Sequence, residues 1–441
     1  MKPFTILLYE WKHFVRSPFK IVALFIFIAA GIYALHNGAD LYHQQMREIE
    51  KIQSKVEKEN LETLAFYEEG KKGPESRPWV DLNKPYWAVW YASPTHFKMP
   101  SPAKVYSTGQ AEQFGFYKKV SFWDTPYDAD MAEEIANPER LQFGTLDFSF
   151  VMLYLLPLLL LILLYNIKGV EADNGILPLI YAQVRSKNIW LLSRIGFYTG
   201  LMSMVILGLM FYGAVLTGVF SAENVAFEQI NLYLLLYLFL WSAIYLLVIK
   251  FGKSLLTNTI IMAGLWLMVA FIIPATVHQL VSVKHPVNLM TDWIDAQRDE
   301  REELFDQPDS VFQAKLIEMF PEISSSSLLT DSLRIKKALN RSASALANEL
   351  TKNSIIPIEE ANAAKNNLIE GTYWFNPIAF FQNRLNALSA THYLDYQGYR
   401  HEIQMLIDRQ IAVMVKDIWK DVQVDKETYQ GYIRNISLNG Q

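Results

Sequence analysis

Charged positions are spread unevenly along this chain. They crowd some stretches and vanish from others. A helix that crosses a bilayer needs about 20 mainly apolar residues, each rising about 1.5 Å. Five stretches meet that demand: 19–37, 147–167, 195–220, 230–250 and 255–277. Each is free of Lys, Asp and Glu through its centre, and the second contains the uncharged run VMLYLLPLLLLILLYNI. A buried soluble helix can imitate one such run but not five. The pattern therefore predicts a mainly α, polytopic membrane helix bundle. Pro157 and Pro274 fall within spans, where neighbouring helices can satisfy the carbonyls they free. Gly196 and Gly200 form a small-xxx-small pair suited to close helix approach. No Asp or Glu lies deep in a span, so the pattern predicts no relay through a buried carboxylate.

The flanking segments set orientation. Residues 1–18 place Phe4, Leu7, Leu8, Trp11, Phe14 and Val15 at helical spacing on one side, with Glu10, Lys12, His13 and Arg16 elsewhere. This predicts an amphipathic helix lying in the membrane interface, broken by Ser17-Pro18. Lys and Arg gather before span 1 (Lys2, Lys12, Arg16, Lys20), in the 168–194 connector (Lys168, Arg185, Lys187, Arg194) and between spans 4 and 5 (Lys250, Lys253). The link from Ser221 to Gln229 carries Glu223 and Glu228 and no basic residue. By the excess of positive charge in cytoplasmic loops, the N-terminus and both basic connectors lie in the cytosol. Residues 38–146 and 278–441 then lie outside. The basic lead before span 1 is too long for an ordinary signal peptide, so this span is expected to stay as an anchor.

The outside segments differ in texture. Residues 41–67 continue from the membrane as a half-buried helix. Residues 78–125, rich in Pro, Trp, Tyr and Ser, predict short strands and loops, so that 38–146 forms an α+β domain. Residues 278–441 predict a mostly helical domain, with helices over 288–304, 309–319, 327–351, 357–370 and 377–420.

Composition narrows the chemistry. The chain has 441 residues, 51% of them hydrophobic and 19% charged, with a net charge of −5. That balance gives no footprint for nucleic acid. There is no cysteine, which removes disulfides and thiolate sites. The eight histidines are scattered. Gly252-Lys253-Ser254 resembles the end of a phosphate-binding loop, but position 247 is Leu where the first glycine is needed. His401-Glu402 opens like a zinc-protease motif, but position 405 is Met, not the second ligand. No catalytic set, cofactor fingerprint or metal cluster emerges, and the chain is expected not to be an enzyme.

The 168–194 connector holds the remaining signal. A short apolar helix, Ile176 to Ala182, follows Glu171 and Asp173 and precedes Arg185 and Lys187, an order that suits the helix dipole. An apolar helix outside the membrane needs an apolar partner. Here the chain resembles the permeases of ABC-2-type ABC transporters, in which a Glu and a Gly-Thr-Leu-like turn precede a short coupling helix and a basic residue follows. Glu171, Gly175-Ile176-Leu177 and Arg185 carry the likeness, with Ile where the family commonly has Thr. Leu179 and Tyr181 lie on the same helix. Leu7, Glu10, Trp11 and Arg16 are similar to the family's interface helix. Pro100, Pro102, Gly109-Gln110 and 116–121 resemble the first insertion of a bacterial subgroup with large extracytoplasmic insertions. Asn137-Pro138, Gly144, Asp147-Phe148 and 156–158 resemble the start of that subgroup's second span.

The resemblance implies a bacterial inner-membrane permease, cytoplasmic at its N-terminus, that pairs with a second permease subunit and docks a cytosolic ABC ATPase. ATP and magnesium would bind to that partner, and the chain itself would carry no cofactor. An envelope or periplasmic partner could engage the outside domains, and membrane lipid would surround the spans. The family usually has six spans, whereas five are visible here. A non-transporting scaffold or sensor that binds an envelope partner is the alternative reading of the same pattern.

Overall fold

The computed structural model describes residues 3–130, 146–184, 186–252, 254–284 and 307–437. The predicted helix over 288–304 lies outside these residues. Among the described residues, five helices are long and apolar enough to cross a membrane, and they match the five predicted stretches.

Helix α1 (Pro3–Val15) is followed at once by α2 (Pro18–Glu68), whose Pro18 sits in the first turn, where its missing N–H costs nothing. At 51 residues, α2 is roughly 75 Å long, more than twice the hydrocarbon thickness. Span 1 and the outside helix predicted over 41–67 are thus one continuous rod. Gly38 lets the short 3-10 segment Pro102–Tyr106 press against this rod, since a Cβ there would sit 2.8 Å from the Val105 carbonyl oxygen.

Span 2, here α4 (148–164), is the most enclosed of the five, and span 5 the least. Pro157 has no N–H for the Leu153 carbonyl. The Tyr237 hydroxyl of span 4 donates to that oxygen at 2.6 Å instead. The Trp266 indole of span 5 donates to the next carbonyl, Tyr154, at 3.0 Å, and the Tyr245 hydroxyl to Pro157 at 3.1 Å. The helix widens to a π turn over Val151–Leu155, and span 5 does the same over Met268–Ile272. Around Pro157, neighbouring helices thus supply donors to the carbonyls of span 2.

The connector contains α5 (Gly169–Asp173) and α6 (Leu177–Gln183). Spans 3, 4 and 5 are α7 (Lys187–Thr217), α9 (Asn224–Phe251, after the single turn α8, Val219–Ala222) and α10 (Leu255–Lys284). Gly196 and Gly200 have nothing within 4 Å of where a Cβ would stand, so this pair brings no described helix closer.

Residues 38–130 and 307–437 form one polar-surfaced module rather than two domains. Ala88, Val89, Val120 and Phe122 from the first stretch share a core with Leu339, Ile403, Met414 and Trp419 from the second. Among the described residues, the expected α+β character of 38–146 reduces to one two-stranded antiparallel ribbon, β1 (Thr95–Phe97) with β2 (Tyr117–Lys119), in register Thr95↔Lys119. Four of the aromatic residues that suggested strands lie instead on α3 (Pro85–Tyr91), which Pro85 opens; Tyr86 and Tyr91 pack half-buried against the core, and Trp90 stays exposed.

The second stretch is helical as expected, with shifted boundaries. Helix α11 (Asp309–Met319) matches the prediction. The two helices expected over 327–351 and 357–370 are one, α12 (Ser332–Glu370), with Pro357 inside it. The helix expected over 377–420 is two, α13 (Pro377–Leu388) and α14 (Tyr393–Trp419). The break comes at Ala390, whose φ is +52°, followed by a capping box between His392 and Asp395. A last helix, α15 (Lys426–Ile436), was not foreseen. Helix α13 returns to the bundle, where Ile378, Phe381 and Leu385 join the core of the spans, with Phe381 4.9 Å from Tyr237.

Candidate functional site

The residues singled out in the connector and at the N-terminus meet at one end of the bundle. Arg194, on the first turns of span 3, bridges two carboxylates. Its Nε donates to Glu10 of α1 and its Nη1 to Glu171 of α5. Glu10 and Arg194 are buried, and Glu171 is largely so. A planar guanidinium spreads its donors over several atoms in a fixed fork, so it reaches two separate carboxylates that a single ammonium nitrogen would have to sit between.

Lys20, at the base of span 1, stands beside this triad. It donates to the Leu163 carbonyl at 2.6 Å, Asn166 Oδ1 at 2.9 Å and the Tyr198 hydroxyl at 3.1 Å. The carbonyl end of a helix attracts cations, so Lys20 caps span 2. Together the four side chains carry two positive and two negative charges, and the buried knot is neutral.

The sequence pattern had turned Glu10 away from the apolar side of α1. The structure instead seats Glu10 inward between Ile6 and Phe14, both buried. Phe14 lies edge-on to Tyr198 at 6.3 Å, and Trp11 to Phe197 at 6.4 Å. Helix α1 is therefore fastened to span 3 along its Ile6–Glu10–Phe14 side. Leu7, Leu8, Trp11 and Val15 remain exposed, consistent with an interfacial helix, and Arg16 is also exposed.

A second staple holds the connector. Lys168 has φ +64° and donates to the carbonyls of Ile249, Lys250 and Gly252, at 3.1, 2.6 and 2.9 Å, capping span 4. Asp173 accepts from the Leu255 N–H at 3.1 Å, at the start of span 5. Gly169 lies against the same point, and a Cβ there would be 2.7 Å from Leu255 Cα. Helix α5 thus touches spans 3, 4 and 5 at once.

The short helix is where the pattern placed it. Gly175 adopts φ +69° with open space around it, the left-handed turn that glycine enters without strain. Leu177, Ile180 and Tyr181 of α6 rest half-buried on the bundle core. Tyr181 meets Trp190 edge-on at 5.9 Å, and Lys187 lies over its ring at 4.7 Å. The opposite side presents Ile176 and Leu179, the latter 62% exposed. Arg185 lies outside the described residues. Among the described residues, no group of three or more His, Cys, Asp or Glu could hold a metal ion.

Sequence reasoning missed Arg194 as the centre of this site. It had been counted only as one more positive charge at a helix start, as had Lys20 and Lys168. A usable signal existed. An Arg at the mouth of an apolar span, with Glu10 and Glu171 at the same end of the bundle, implies a pairing. Comparison with known protein families, with curated proteins and with solved structures finds no match to this chain. The fold itself defines the class: a multi-pass helical membrane protein carrying a large polar module.

Proposed function

We propose that this chain is the membrane-spanning permease subunit of an ABC-2-type ABC exporter, which couples ATP hydrolysis in a separate cytosolic ATPase to export or to mechanical work across the envelope. One observation supports this above the others. An exposed apolar helix, α6, is carried on a connector locked to three spans and, through the Arg194 knot, to α1. A push on α6 has a stiff path into the bundle, which a merely anchoring scaffold does not require. In this reading the module faces the extracytoplasmic side of a bacterial inner membrane, and a second permease subunit completes the pathway. ATP and magnesium belong to the ATPase.

Leu179→Asp tests the proposal. The side chain is exposed, so the bundle should melt at the wild-type temperature, while burying a carboxylate in an ATPase groove costs several kcal/mol. The tagged wild-type chain purified from native membranes should carry an ATP-hydrolysing subunit, and the Leu179→Asp chain should lose it. A wild-type chain without ATPase, or a variant that keeps it, overturns the proposal.

A further inference from the structure

A cavity of ≈ 400 Å³ opens where the module meets the spans. Its floor is Tyr154, in the π turn of span 2, and Pro274, just past the π turn of span 5. Single π turns inside α-helices recur at functional sites, and here two bracket one cavity. Tyr154 lies six residues into span 2, roughly 9 Å along the helix from its start. The walls come from α12 and α13. They are rich in carboxamides, with Asn362 and Asn366 one turn apart on α12 and Gln382 and Asn386 one turn apart on α13. Such groups both donate and accept hydrogen bonds.

Three features indicate a ligand of one chemical kind. No residue lining the cavity is acidic, and Lys365 is its one fixed cation, with no ion pair among the described residues. His392 also lines it, but its Nδ1 accepts the Leu394 N–H and burial holds the imidazole below its usual range, so it adds no charge at neutral pH. Finally, Gln110 Oε1 is buried without a hydrogen bond among the described residues, although buried polar atoms ordinarily find partners, and Asn362 sits beside the Tyr393 hydroxyl. Beside the floor, Phe271 stands 5.6 Å from Tyr154, and Phe271 and Ile272 are exposed on span 5.

We propose that this cavity binds the headgroup of a membrane phospholipid that carries one negative charge and free hydroxyls, of the phosphatidylglycerol type. The phosphate pairs with Lys365, the glycerol hydroxyls meet the carboxamides and Tyr393, and the acyl chains lie along Phe271 and Ile272. Choline, a cation without hydroxyls, would meet no carboxylate among the lining residues, and Glu370 beside them already accepts from Asn366 Nδ2 at 2.8 Å. The proposal needs only that the chain spans a membrane. It stands whether or not an ATPase binds at α6.

The test uses the full chain in mild detergent, titrated with equimolar phosphatidylglycerol and phosphatidylcholine of identical acyl chains and read by native mass spectrometry. One charge-assisted contact implies retention of the glycerol lipid by about tenfold over the choline lipid. Lys365→Met should bring the preference below about twofold, and Lys365→Arg should keep it. Asn362→Asp, nearly isosteric and one turn from Lys365, should lose the preference without loss of thermal stability. Equal retention of the two lipids by the wild type, or unchanged preference in Lys365→Met and Asn362→Asp, overturns the proposal. Displacement of the lipid by soluble glycerol 3-phosphate at equal concentration overturns the lipid as the source, and failure to displace it supports a contribution from the acyl chains.

Discussion

Arg194 is where a single residue matters most. It holds Glu10 and Glu171 together in a place that water hardly reaches. Such a pair adds little over a well-packed apolar trio, because taking charges out of water is costly. Losing one member is another matter, since the rest are stranded. Arg194→Met is expected to destabilise the bundle by about 3–5 kcal/mol, read as a fall in melting temperature in detergent. Arg194→Lys should restore part of this, because an ammonium reaches only one carboxylate well. The triple variant with Glu10→Gln, Glu171→Gln and Arg194→Met should recover most of it. A single Arg194→Met as stable as the wild type would mean that the knot does not form. The presence of Glu10 and Glu171 at this end of the bundle was legible from spacing and from the resemblance. Their shared partner was not, because helical periodicity describes which side of a helix a residue occupies and not what another helix brings to it.

At the scale of elements, apolar length decided the spans, and the agreement there is close. Boundaries inside the polar module were harder. Nothing in the 377–420 pattern marked Ala390 as a break, since its positive φ is imposed by the turn that swings α13 back onto span 4. The β-like aromatics near residue 90 became α3 because Pro85 opens a helix there and the rings had a core to enter. The connector offers a sharper test of element packing. Gly169 sits against the backbone of Leu255, so there is no flexible side chain to move aside. Gly169→Val is expected to cost about 1–3 kcal/mol through overpacking and to loosen α5 from spans 4 and 5. Faster amide exchange at 169–175 would report it, and unchanged exchange with unchanged melting would contradict the packing described.

For the whole molecule, the chief surprise is one module where the chain order suggested two. Gln410 shows how the halves are joined. Wholly buried on α14, it donates to the Val120 carbonyl at 2.8 Å and accepts from Ser93 at 3.1 Å, more than 280 residues away in each case. Gln410→Ala should leave the Val120 carbonyl without this donor, while Ser93 keeps the Val89 carbonyl, and cost about 1–3 kcal/mol. The module should also melt in one transition, both halves together; two separate transitions would restore the two-domain picture. The sequence by itself determined that this chain lives in a membrane, how many times it crosses in the described residues, and which end carries the greasy connector helix. Those properties follow from transfer free energies summed along the chain, which need no knowledge of neighbours. Only the tertiary structure decided that Arg194 joins α1 to the connector, that two π turns frame a cavity, and that 88–122 and 316–436 share a core. Each depends on groups far apart in sequence meeting in a low-dielectric place, where an unpaired charge or orphaned carbonyl is too costly to leave, and linear pattern records the need for a partner without naming it.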